Sequence, residues 1–98
     1  MNDQKTTAKT MKIMINQPSE ERLQELGIKN WEKWECGPST FDWEYSQEEV
    51  AYVFTGKAVV KTEWEELEIN SGDLVVFPKG LKCNWRVIVS LKKVYKFN

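Results

Sequence analysis

The stretch Asn70-Ser71-Gly72-Asp73-Leu74-Val75-Val76-Phe77-Pro78-Lys79-Gly80-Leu81-Lys82-Cys83-Asn84-Trp85-Arg86-Val87 decides the fold. Asn70-Ser71-Gly72 and Pro78-Lys79-Gly80 carry turn chemistry, and the apolar run Asp73–Phe77 between them reads as a strand. Pro78 can end that strand without leaving a ladder donor unpaired, and Gly80 lets the chain bend into the next. From Leu81 to Val87 odd positions are apolar and even positions polar. That period of two points Cys83, Trp85 and Val87 inward and Lys82, Asn84 and Arg86 outward.

The same grammar extends in both directions. Strands are expected at Trp31–Cys36, Phe41–Tyr45, Glu48–Thr55, Lys57–Trp64, Glu66–Ile69, Lys82–Val89 and Leu91–Phe97, with turns at Gly37-Pro38-Ser39, Ser46-Gln47 and Thr55-Gly56. Many short strands at this spacing mean an all-β sandwich or barrel. Gly56 reads as a tight connection between two apolar strands. Val50-Ala51-Tyr52-Val53-Phe54 is apolar on both faces, so both must be covered, the outer one by the N-terminal segment or by a second subunit. Ahead of the β region, Lys12–Asn16 reads as a short strand and Pro18–Gly27 as a short helix. Ser19 is placed to cap that helix, Gly27 to end it, and Leu23 and Leu26 to share its buried face. Residues 1–11 show no apolar periodicity and are expected to form a flexible arm, leaving 12–98 as one domain.

At 98 residues with net charge −1 and no histidine, the chain lacks what several function classes require. Histidine-dependent triads and His-ligated metal centres are absent. No apolar run approaches the ~20 residues of a membrane span, and no signal peptide is legible. Two cysteines, Cys36 and Cys83, do not make a disulfide framework, so both are expected reduced, in the cytoplasm. Residues 1–70 hold 8 basic and 14 acidic side chains, residues 71–98 6 basic and 1 acidic. Lys79, Lys82, Arg86, Lys92, Lys93 and Lys96 could form a basic patch, but a solvated face is the default and nucleic acid is not an expected partner.

Two spaced motifs carry a resemblance. One is Gly72-x5-Pro78-x-Gly80-x2-Cys83. The other is Gly37-x5-Trp43-x-Tyr45-x3-Glu49-x6-Gly56. Together they resemble the paired motifs of cupins, and most nearly the small single-domain, RmlC-like members of the ureidoglycine aminohydrolase-like and ethanolamine-utilisation group. The resemblance implies a jelly-roll barrel with a short N-terminal helix, and a homodimer. In metal-binding cupins the positions of Trp43, Tyr45 and Cys83 are histidine, and Glu49 stands where the family has its carboxylate. An indole cannot ligate a metal, and Glu49 with Cys83 falls short of a zinc set, so neither metal nor cofactor is expected.

Glu49 is expected to face the interior with Ala51 and Val53. A carboxylate there is costly unless paired. Three resolutions stand open: a donor from Tyr45, Trp43 or Trp85; protonation; or a role as ligand contact or general acid/base. Cys83 has no histidine to activate it, and a carboxylate nearby disfavours its thiolate, so it reads as a small buried hydrophobe. Trp43 and Trp85 are expected in the cavity, Trp31 and Trp34 against the N-terminal segment, and Trp64 in an acidic hairpin. The first functional reading is metal-free binding of a small molecule (an amine, ureide or sugar) by Trp43, Tyr45, Glu49, Cys83 and Trp85. The alternative is an enzyme of the ureide-hydrolase or isomerase type with Glu49 as the catalytic acid/base, with an atypical metal site as one variant.

Overall fold

Two long strands form the spine of the molecule. The computed structural model describes residues 10–98; the expected arm falls almost wholly outside the described residues. Where eight short strands were expected in the β region, Glu48–Thr55 and Lys57–Trp64 fuse into one, β4 (Glu49–Lys61), and Lys82–Val89 and Leu91–Phe97 into another, β7 (Lys82–Phe97). Gly56 does not end a strand. It bends one, at φ +107°, and its backbone lies so close to Ser90 that an added Cβ would stand 2.4 Å from the Ser90 carbonyl oxygen. The β4–β7 register slips around this bend. The inward set accordingly switches from Glu49, Ala51 and Val53 to Ala58 and Val60, as a bulge requires.

The other strands divide between the two halves of the spine. β6 (Leu74–Phe77) pairs with Glu49–Tyr52 of β4, and β1 (Met14–Asn16) lies outside β6. β5 (Glu66–Asn70) pairs with Lys57–Lys61. Along β7, β3 (Ser39–Glu44) takes the first half and β2 (Glu32–Cys36) the second. The result is an antiparallel sheet folded over on itself around one core, the all-β jelly roll anticipated above. Val53, Val60, Ile69, Val75, Phe77, Leu81 and Leu91 fill it.

The outer face of β4 at Val50 and Tyr52 is covered from within the chain. Helix α1 (Glu20–Leu26) is capped by Ser19, whose side chain accepts from the Arg22 N–H at 3.2 Å, and stopped by Gly27 at φ +72°. A 3-10 turn, Ile28–Asn30, follows. Leu23, Leu26, Ile28 and Trp31 then pack on Val50, Tyr52, Leu74 and Val94. Of the two covers open to the two-faced strand, the N-terminal segment is the one observed. Met11, placed in the arm by its sequence, already packs against the core.

Candidate functional site

On the inward side of β2, β3 and β7 the chain leaves a cavity of about 380 Å³. Strand pairing assembles its wall: Phe41 of β3 lies opposite Trp85 of β7, and Trp34 of β2 opposite Lys93. Phe41 and Trp85 are parallel within 4°, and Trp34 stands edge-on to Phe41. Tyr95 and Phe97 continue the wall along β7. Trp34, expected against the N-terminal segment, instead faces this cavity, whereas Trp31 packs under that segment as anticipated.

The polar floor is an ion pair. Lys93 Nζ donates to Glu49 Oε2 at 2.8 Å, with Glu49 4% and Lys93 8% exposed. The ammonium also stands 4.9 Å from the Trp34 ring centre, 5.0 Å from Trp85, 5.6 Å from Tyr95 and 5.9 Å from Phe77. Burying two charges is costly, and here mutual attraction and an aromatic cage offset that cost together. This corrects two expectations. Glu49 takes its hydrogen bond from Lys93, not from Tyr45, Trp43 or Trp85. Lys93 leaves the surface patch, while Lys92 and Lys96 on either side of it are exposed. The signal was present in the sequence: the inward odd positions Cys83, Trp85 and Val87 continue through Leu91 to Lys93. It becomes readable only once β7 is known to be one strand.

The remaining singled-out residues divide. Trp43, Tyr45, Glu49 and Trp85 line the cavity, with Trp43 51% exposed at its mouth, edge-on to Tyr45. Tyr45 is buried and stacked on Phe77, ring centres 4.7 Å apart. Cys83 does not line it; it borders a neighbouring, more open depression with Asp42, Trp43 and Lys82. Trp43 lies between the two.

Burial pushes the Cys83 thiol up to about 11, with the Trp85 indole working in the opposite direction. Burial, and then the Glu49 carboxylate, hold the Tyr45 phenol far above its ordinary value. Both groups therefore stay protonated in the folded protein where the unfolded chain would ionise, from about pH 9 upward. Their contribution to stability is complete below that pH and is lost as pH rises through the folded values. Melting temperature followed by circular dichroism should hold to about pH 8 and decline steadily toward about pH 11. A flat profile would place both groups in contact with water.

A resident metal does not fit this donor set. The Glu49 carboxylate already holds an ammonium, the Tyr45 phenol stays protonated, and Cys83 lies off the cavity. Among the described residues no three Cys, Asp or Glu side chains converge as ligands. What the arrangement offers is a hydrophobic, aromatic cavity with one donor and one acceptor side by side at its floor.

Comparison with known proteins now places the chain. The EutQ-like cupin domain family matches residues 23–95. A DUF861 family protein from Thermotoga maritima is 41% identical, with 89% of this chain and all of that one covered, at a TM-score of 0.87. The Clostridium difficile EutQ protein is 28% identical over 64% of this chain, at a TM-score of 0.60, and this chain spans only half its length. A protein of unknown function (DUF1255) from Acidithiobacillus ferrooxidans, 20% identical over 63% of this chain and 60% of that one with a TM-score of 0.61, shares the fold. No curated protein matches the chain. A jelly roll spanned by two long strands, matched over most of its length, makes this chain a member of the EutQ-like cupin family.

Proposed function

We propose that this is a metal-free cupin domain that binds a small molecule in the aromatic cavity above the Glu49–Lys93 pair. The observation that carries the reading is that pair: two opposite charges, 2.8 Å apart and nearly buried, at the floor of a cavity large enough for a ligand. Well-packed apolar residues in place of a buried pair are often neutral or even stabilising, so stability alone is a weak reason to keep one. Recognition is a better one. Trp43, Tyr45, Glu49, Trp85 and Lys93 form the binding set; Cys83, on the neighbouring depression, stands outside it. A general acid/base role for Glu49 would require it to exchange protons past Lys93, which favours recognition over proton transfer.

Four tryptophans lie on or beside the cavity and the neighbouring depression, so occupancy should change indole fluorescence. Small amides, amines and sugars titrated at millimolar concentration are expected to include at least one that does so, with the response lost in Glu49→Gln. If no class of compound moves either fluorescence or melting temperature, the binding role fails.

The reading includes a cytoplasmic setting, consistent with the unpaired Cys36 and Cys83, and a homodimer. Because the outer face of Val50 and Tyr52 is already covered, the reading places self-association on Phe54, Ile88 and Val89, which are exposed near the Gly56 bend. Sedimentation should report twice the chain mass at micromolar concentration; a monomer there removes the dimer.

A further inference from the structure

Building on the binding role above, we propose that the cavity selects an uncharged, ring-sized compound carrying a hydrogen-bond acceptor beside a donor, and rejects both cations and anions. The positive site is already filled. Trp34, Trp85, Tyr95 and Phe77 surround the Lys93 ammonium at 4.9 to 5.9 Å, and the first three, which line the cavity, are the faces that would have received a ligand cation. An amine entering the cavity would meet those faces occupied and a like charge close by, in surroundings that screen poorly.

An anion fares no better. To pair with Lys93 it must draw the ammonium from Glu49, leaving a buried carboxylate uncompensated, or lie beside that carboxylate. A neutral ligand avoids both penalties. The ammonium has three N–H donors, and Glu49 Oε2 takes one. Glu49 itself lines the cavity, and Lys93 meets its carboxylate on Oε2, so a ligand would take Oε1 as its acceptor. A carbonyl oxygen can accept from Lys93 while an adjacent N–H or O–H donates to Oε1, with the ion pair intact. The parallel Phe41 and Trp85 rings supply a flat wall for the body of such a compound, and about 380 Å³ holds a substituted ring.

Three near-isosteric probes differing in charge decide it: benzamide, benzylammonium and benzoate, titrated into the full chain by tryptophan fluorescence and melting temperature. Benzamide is expected to bind in the millimolar range, at least about tenfold more tightly than either ion. In the paired variant Glu49→Leu/Lys93→Met, which removes both charges together and so keeps the cavity compensated, that preference should disappear. Equal or tighter binding of benzoate or benzylammonium overturns the selectivity while leaving the binding role standing. Persistence of the benzamide preference in the paired variant also overturns it, because the ion pair is then not its source. No response to any probe overturns this inference, and the binding role falls with it only if the wider titration of amides, amines and sugars is also silent.

Discussion

Lys93→Met should cost the fold about 3–5 kcal/mol, because it strands the Glu49 carboxylate in the interior. Methionine nearly matches the lysine stem in volume, so the loss is one of charge and not of packing. The cage of Trp34, Trp85, Tyr95 and Phe77 carries no positive charge to replace the ammonium. Against a total stability of about 5–15 kcal/mol for a domain of this kind, that is a large fraction, and the single variant should melt far below the parent. Glu49→Leu added to Lys93→Met should restore most of the loss, since an apolar pair leaves nothing uncompensated. Urea unfolding of the parent, both single variants and the pair gives the coupling directly. A loss under about 1 kcal/mol for Lys93→Met would mean that water reaches Glu49 freely, contrary to its burial.

The second large effect is expected at the bend of β4. Gly56→Ala places a methyl group 2.4 Å from the Ser90 carbonyl oxygen and 2.7 Å from the Leu91 Cα, both backbone atoms that cannot rotate away. It also puts a side chain at φ +107°, where L-residues are strained. Together these should cost about 3 kcal/mol or more, and β4 and β7 would have to separate at their crossing. Gly37→Ala is the control: nothing lies within 4 Å of its added Cβ, and its φ is not in the positive region. That change should stay within about 0.5 kcal/mol. Comparable melting temperatures for the two variants would show that the backbones at the bend give way easily.

Which features could be read from the chain follows from how local their causes are. Ser19 and Gly27 act within a few residues of the helix they bound, and both hold in the structure. The turn at Asn70–Gly72 is equally local, and Asp73 reinforces it by accepting from the Asn70 N–H at 2.7 Å. Gly56 was legible as special but not in kind, since glycine serves a turn and a bulge alike. Its role depends on Ser90, which is distant in sequence and adjacent in space. Lys93 is obscured for the same reason. With β7 split at Ser90, nothing carried the inward parity of Trp85 forward, and a lysine among Lys92 and Lys96 looked like surface. Spacing alone could align Trp43, Tyr45, Glu49 and Cys83, but not show that Cys83 opens toward a different depression, because each depression is assembled from several strands, with Trp43 between them.

The shared spine has a kinetic consequence. Because β4 and β7 each run through both halves of the sheet, neither half possesses a complete set of strands of its own. Neither half of the sheet can detach and melt first, so unfolding of the sheet should be a single cooperative transition. The pairings that create the spine join Glu49 to Phe97 and Lys61 to Asn84, so much of the intervening chain must be gathered before either is rewarded. A chain organised by such distant partners should fold slowly for its length.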